Sequence, residues 1–350
     1  MDFNLSPLLV IWEVTQACDL ACVHCRANAQ PERNPKELTT EEAYRLLEET
    51  KQFGNPLMVF TGGDPLKRAD LYDLARYSVQ VGLRTNITPS VTPLLTWEAI
   101  NQLKSSGISR MAISLDGPDA PTHDGFRRVD GTYERAIAAL RHAREIGLET
   151  QVQTTVTRVN LSKLAHIAEQ AGEVQAKMWS LFFPVTVEDD LTSADYEKVF
   201  EFLYEISKVA PFEVKTTEGM HYRRYIAQRL KAEHGGCGGA NGRLLWRTTG
   251  VSDGRGLVFI SHTGEICPSG YLPVSAGNVR SDSLVDIYRN SSLFRLLRTP
   301  EANVGKCSRC EYHKICGGSR SRAYAMTGDY LEADPRCSYQ PCEAPMLAHA

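Results

Sequence analysis

Between residues 8 and 207 two hydrophobic periods take turns, and this alternation restricts the possible folds more than any other feature of the chain. Short apolar, partly β-branched runs stand at 8–15 (LLVIWEVT), 56–62 (PLMVFTG), 83–88 (LRTNIT), 109–117 (SRMAISLDG), 149–157 (ETQVQTTVT) and 176–185 (AKMWSLFFPV). They read as buried strands. Helical patterns fill the gaps. The first, 39–53, opens on Thr39 and Thr40 ahead of two acids, the signature of an N-cap. Gly82, Gly107, Gly147 and Gly172 are expected just past helix ends, in the left-handed position that glycine tolerates best. Six β/α units in series predict a parallel sheet with right-handed crossovers. Periodicity alone leaves two forms open, an open doubly wound sheet and an incomplete barrel. Polar, Gly-rich segments follow the strands: QACDLACVHC after the first, TGGDP after the second and SLDGPD after the fourth. In a barrel those strand ends carry the chemistry.

Charge and cysteine content narrow the function. The net charge of −3 and the lack of any basic block exclude a protein that holds nucleic acid by its phosphates. No apolar run approaches the roughly 20 residues of a membrane span. The N-terminus shows no secretory signal, so a cytoplasmic location is expected. Disulfides are rare there, yet the chain has ten cysteines in clusters, a distribution that favours metal. After residue 210 the pattern changes. A Gly-rich break (235–243), a hairpin turning near Thr263–Gly264 and an amphipathic helix over 281–298 lead into 305–342. That last stretch is rich in cysteine and poor in apolar residues, so it needs metal to hold its shape. The expected division is a core over 1–210, a linker and helical bridge over 211–255 and a small cysteine-rich domain over 256–350.

Cys18, Cys22 and Cys25 form C-x3-C-x2-C on the loop after the first strand. Three thiolates can hold an iron–sulfur cluster and leave one iron open, since such clusters otherwise take four cysteines. A zinc site borrowing His24 is the other reading. With an aromatic residue before the last cysteine, the motif resembles that of the radical SAM enzymes. The resemblance implies a [4Fe–4S] cluster chelated by S-adenosylmethionine, which is cleaved to a 5′-deoxyadenosyl radical, and it implies a partial (β/α)6 barrel. Gly62, Gly63 and Asp64 look like the family's GGE-P motif, with Asp for Glu. Ser114 and Arg127 resemble the residues that hold the methionine carboxylate.

Cys307-x2-Cys310-x5-Cys316, followed by Cys337, resembles the SPASM extension of that family, a region that binds auxiliary clusters; a zinc ribbon is the alternative for the same four residues. Arg320 stands where a second auxiliary cluster would need a cysteine, so one auxiliary [4Fe–4S] cluster is expected. Cys237 and Cys267 lie near positions used by the second cluster, and Cys342 is a spare or substitute ligand.

The run CGGSRSRAYAMTGDYLEADPRC resembles the tetrapyrrole-modifying branch, as do VHCRA, FTGGDPL, TTVTRVN, KTTEGMHYRRY and LPVSAGNVR. That branch includes an enzyme that oxidatively decarboxylates two propionates of iron-coproporphyrin to vinyl groups. A porphyrin is a flat apolar disc rimmed by carboxylates, and its site needs apolar walls with a few basic groups. His221 is a candidate axial ligand; Arg223, Arg224, Arg320 and Arg322 are candidate carboxylate partners. An electron donor such as flavodoxin or ferredoxin is implied. The alternative activity is maturation of a ribosomally made peptide, although the first strand begins by residue 8 and leaves no room ahead of it for a leader-recognition domain. A non-enzymatic cluster-binding protein is a third reading, and the intact cysteine triplet argues against it.

Overall fold

The computed structural model describes residues 2–185, 191–234 and 251–341. The six expected strands form: β1 Leu9–Glu13, β2 Leu57–Thr61, β3 Arg84–Ile87, β4 Arg110–Ser114, β5 Glu149–Thr155 and β6 Met178–Phe182. Between them run α1 Thr40–Lys51, α2 Leu71–Gln80, α3 Trp97–Ser105, α4 Ala120–Arg127, α5 Thr132–Glu145 and α6 Leu164–Glu173. Helix α1 begins at a reciprocal cap: the Glu42 amide donates to Thr39 Oγ1 (3.2 Å) and the Thr39 amide to Glu42 Oε2 (2.8 Å). Gly82, Gly107 and Gly147 take φ of +85°, +87° and +71°. Gly172 does not; it stays within α6, and the left-handed residue after that helix is Gln175 at φ +53°. All six strands expected over 8–185 are present, while the glycine reading fails at Gly172, where Gln175 takes the turn.

Two further strands extend the parallel set. After α7 (Ser193–Ser207), β7 (Glu213–Thr217) pairs in parallel with β6, within residues expected to be linker, and α8 (Tyr222–His234) follows it. On the opposite edge β8 (Leu257–Ile260) pairs in parallel with β1. The expected hairpin is β8 with β9 (Glu265–Cys267), turning at Gly264 (φ +90°), and β10 (Gly277–Asn278) closes that edge. The expected helix over 281–298 is two, Leu284–Asn290 and Ser292–Leu297, because Ser291 is extended and caps the second through the Phe294 amide.

Strands β1 to β7 lie side by side in chain order. Right-handed crossovers in unbroken order place all helices on one face, which is barrel winding. Burial agrees. Val10, Trp12, Met58, Phe60, Val152, Trp179 and Leu181 are fully buried on the helix side. Their alternates Leu9, Ile11, Leu57, Val59, Gln151 and Gln153 are only partly covered and face the interior of the partial barrel. A doubly wound sheet would bury both faces. Trp179 packs edge-on against Phe202 and Phe212, with centroids at 6.3 and 6.1 Å, and its indole N–H donates to Thr154 at 2.9 Å. One row of register therefore faces the interior together: Ser114 on β4, Gln153 on β5, Ser180 on β6 and Lys215 on β7.

Candidate functional site

The loop after β1 is built against the loop after β2. The Gly63 amide donates to Thr15 O at 2.9 Å and the Asp64 amide to Ala17 O at 2.6 Å. A Cβ on Gly62 would lie 2.5 Å from Thr15 O, and one on Gly63 2.6 Å from Gln16 O, so neither position admits a side chain. Glycine here seats the cysteine loop on the strand end. Asp64 serves the same purpose. It is fully buried and accepts from the Thr92 hydroxyl (2.6 Å) and from the amides of Leu66 (3.1 Å) and Ser90 (3.4 Å). Burial pushes its carboxyl above the usual range, against those hydrogen bonds.

Ser90, which the sequence reading missed, ties the two loops together. Its hydroxyl donates to Gly63 O at 2.6 Å and lies 3.5 Å from Cys18 Sγ. The only signal for it was a hydroxyl just past the end of β3. Cys18 is buried, Cys22 partly so, and Cys25 is exposed. Each thiol has a donor: the Leu20 amide to Cys18 (3.4 Å), Arg127 Nη1 to Cys22 (3.4 Å) and the Ala29 amide to Cys25 (3.3 Å). Burial, the larger effect, pushes the Cys18 thiol up against its donors from Ser90 and Leu20. Arg127, at the end of α4, also pairs with buried Asp116. Burial works against its charge, but Asp116 and Cys22 outweigh that and hold its pKa above the ordinary arginine value. Asp116 is a second residue the sequence reading passed over; its amide donates to His123 Nδ1 at 3.0 Å, and burial pushes that histidine down to about 4. Ser114 ends β4 on the interior face beside these groups.

Cys307, Cys310, Cys316 and Cys337 line one pocket, together with His221, Arg224, Lys306 and Asp334. Backbone amides of Tyr312, Gly318 and Tyr339 point at Cys310, Cys316 and Cys337. Burial pushes the Cys316 thiol up to about 12, so a protonated thiol is what an apolar wall alone would give. Gly317 and Gly318, at φ +74° and +70°, wrap the chain around this pocket. A Cβ on Gly318 would stand 2.7 Å from Arg320 Nη2 and 2.9 Å from Asp334 Cβ. Four cysteines, three with amide donors and Cys307 with Arg320 Nη2 at 4.0 Å, fit an anionic four-cysteine cluster. Cys267 is buried on β9, is not among the pocket's lining side chains, and is pushed up to about 12 by burial. Cys237 and Cys342 lie outside the described residues.

The candidate carboxylate partners are not solvated, and most are already engaged. Arg224 pairs with Glu197, with Nη1 at 3.1 Å from Oε2, and donates to Gln228 at 2.8 Å. Arg320 donates to the carbonyls of Glu332 (2.8 Å) and Tyr330 (3.0 Å). Arg322, 1% exposed, pairs with fully buried Asp334 at 3.0 Å and donates to Pro184 O and Glu218 O. These three arginines brace the second site. Arg223 differs. It donates to Val251 O (2.6 Å) and Ile315 O (3.4 Å) and has no carboxylate partner among the described residues. His221 is fully buried, stacks on Tyr196 (centroids 5.3 Å apart) and lies 3.6 Å from Asp334, with neither ring nitrogen hydrogen-bonded among the described residues. Burial holds it down at about 4, hence neutral. Its place is beside the auxiliary cysteines, so the axial-ligand expectation gains no support from its surroundings.

A clamp joins the two halves. Glu13 on β1 accepts from Arg26 (2.7 Å), one residue past Cys25, and is 2.7 Å from His262 in the β8–β9 turn. Burial raises the Glu13 pKa, but those two partners prevail and hold it below the usual range.

Known proteins place these features. The model of the Radical SAM superfamily matches residues 12–171, and that of the SPASM iron–sulfur cluster-binding domain matches residues 252–311. The chain is 42% identical to an AdoMet-dependent heme synthase of Nitratidesulfovibrio vulgaris, over 97% of this chain and 94% of that protein. It is 39% identical to one of Methanosarcina barkeri, over 96% and 97%. A PqqA peptide cyclase of Bradyrhizobium diazoefficiens is 28% identical over 98% of this chain and 89% of its own. Streptococcus suis SuiB bound to S-adenosylmethionine shares the fold, with a TM-score of 0.73 at 18% identity over 96% of this chain and 78% of that one. With a cysteine triplet seated on a glycine-lined strand end and a second cysteine set at the carboxyl end, the chain belongs to the radical SAM superfamily and carries a SPASM iron–sulfur domain.

Proposed function

We propose that this radical SAM enzyme acts on a carboxylate-bearing tetrapyrrole and converts propionate side chains oxidatively, as in haem formation. The observation that carries the reading is the nearly end-to-end likeness to heme synthases, well above the likeness to a peptide cyclase. The site's chemistry supports it. When bound, the cluster and S-adenosylmethionine supply a 5′-deoxyadenosyl radical. Cys18, Cys22 and Cys25 would hold that cluster, Ser90 and Gly63 fix the loop around it, and Ser114 and Arg127, the latter shared with Asp116, would offer a hydroxyl and a cation to the methionine carboxylate. The interior face of the sheet supplies polar groups to orient the substrate and walls that exclude water. Each propionate gives up one hydrogen atom to the radical, one CO2 and one electron, leaving a vinyl group. Anaerobic titration of the reconstituted enzyme with iron-coproporphyrin III is expected to shift its Soret band, and turnover with S-adenosylmethionine to release CO2 and leave vinyl groups. No binding of that porphyrin, alongside turnover of a peptide, would overturn the reading in favour of a peptide maturase.

The electron needs an acceptor, and the reading assigns that place to a single auxiliary [4Fe–4S] cluster on Cys307, Cys310, Cys316 and Cys337. Four thiolates leave no open iron, which suits electron transfer. By its place in the motif Arg320 replaces a cysteine that a second cluster would need, and its guanidinium is buried, with Nη2 4.0 Å from Cys307 Sγ. Changing any of the four cysteines to serine should lower iron content and soluble yield, and Cys267→Ser should do much less. Equal iron loss from Cys267→Ser and Cys310→Ser would mean a second auxiliary cluster. A flavodoxin or ferredoxin in the cytosol is the proposed electron source. No helix among the described residues is long and apolar enough to cross a membrane.

A further inference from the structure

The interior row of Ser114, Gln153, Ser180 and Lys215 holds polar groups that the fold does not satisfy. Ser180 is 1% exposed, and its hydroxyl has no hydrogen-bond partner among the described residues. Gln153 and Lys215 are half-buried, and neither side chain has a partner among the described residues. Covered polar groups are nearly always paired, so an orphaned row marks either a defect or a ligand.

Lys215 is the sharpest case. The charges that act on it are Arg223 and Arg110, both cations. Arg110 is neutralised by Glu149 at 2.9 Å, whereas Arg223 bonds only to backbone carbonyls. Burial and these two cations push the lysine down to about 8, the opposite of what a paired ammonium would show. Arg223 has negative groups of its own nearby, at Cys316 and Glu218, whereas Lys215 has none acting on it and calls for an anion from outside.

We propose that Lys215 docks a substrate carboxylate at the β7 side of the barrel interior, with Gln153 and Ser180 lining the way to it from Ser114. The identity of the carboxylate's carrier rests on the tetrapyrrole reading above. Neighbouring strands are spaced by about 4.8 Å, so Lys215 stands about 14 Å along the sheet from Ser114, three strands away. A substrate that reacts near the radical and is held at Lys215 must be broad and must carry a carboxylate remote from the reacting carbon. A porphyrin with propionates on its rim meets both requirements. The sequence reading looked for this partner among arginine pairs, whose members the fold itself engages.

The test compares iron-coproporphyrin III with its tetramethyl ester, which keeps the disc and loses the charges. In anaerobic Soret titrations of holoenzyme, Lys215→Met should weaken binding of the free acid by about ten- to hundredfold. Lys215→Arg should stay within a few-fold of wild type, and the ester should bind wild type and Lys215→Met alike. Iron content and cluster absorbance matched to wild type verify folding, and Lys215→Gln substitutes if the Met variant is insoluble. Undiminished binding of the acid to Lys215→Met, or equal losses for acid and ester, would overturn the docking role while leaving the tetrapyrrole reading intact. Failure of wild type to bind either porphyrin would remove that reading, and this proposal with it.

Discussion

Replacing Cys18, Cys22 and Cys25 together with alanine abolishes cleavage of S-adenosylmethionine and leaves about half the iron of the reconstituted protein, as expected for one of two four-iron clusters. The loss of activity should be complete, because no other described group beside that loop can hold an iron open to the sulfonium compound. The fold should survive. The loop's attachment rests on backbone contacts from Thr15 and Ala17 to Gly63 and Asp64, and the Asp64 bonds to Thr92, Leu66 and Ser90 do not involve the cysteines. Iron analysis, visible absorbance and 5′-deoxyadenosine formation under dithionite check this. Residual 5′-deoxyadenosine, or loss of all iron, would contradict the separate seating of the two sites. Stoichiometric zinc in wild type would contradict the cluster assignment itself.

Asp334→Ala should be the most destabilising single change in the cysteine-rich region. The carboxylate is fully buried and accepts from Arg322 (3.0 and 3.2 Å) and from the amides of Ser319 (2.9 Å) and Arg336 (3.0 Å). Removing one partner of a buried pair leaves the other charge uncompensated, at a cost of about 3–5 kcal/mol. That is a large part of the roughly 5–15 kcal/mol that typically separates folded from unfolded chains. Arg322 also reaches Pro184 O and Glu218 O, so the damage should spread from the auxiliary pocket to the barrel's last strands. Urea unfolding of anaerobic holoprotein should show the loss together with reduced iron. A change below about 1 kcal/mol, with iron retained, would mean that water replaces the lost carboxylate. The double change Asp334→Ala with Arg322→Leu should recover part of the stability, since it removes the orphaned charge as well.

Chain order and chemistry were legible locally. Strands β1 to β6 are short apolar runs between amphipathic segments, and each pattern states its own element. The triplet Cys18, Cys22 and Cys25 sits within eight residues, so spacing alone brings its thiols together. The capping box at Thr39 and Glu42 and the turn at Gly264 are equally local.

What escaped the sequence reading was decided by partners distant along the chain. Strand β7, EVKTT, has a single apolar residue, because its Glu213, Lys215 and Thr217 face a polar interior; a strand that lines a binding space loses the hydrophobic signal that reveals strands. Pairing of β8 with β1 joins residues about 250 apart, and no local period encodes such a contact. The arginines show the same limit. As sequence, Arg223, Arg224, Arg320 and Arg322 are four equivalent cations. In the fold, Glu197 and Asp334 claim Arg224 and Arg322, the carbonyls of Tyr330 and Glu332 hold Arg320, those of Val251 and Ile315 hold Arg223, and Lys215, which carried no such signal, is left without a partner among the described residues. The sequence by itself determined which elements form and which cofactor loop they carry, since hydrophobic period and ligand spacing act over a few residues. Tertiary structure alone decided which charges are spent within the protein and which remain for a substrate, because Coulomb and hydrogen-bond energies depend on distances in space that residue order does not contain.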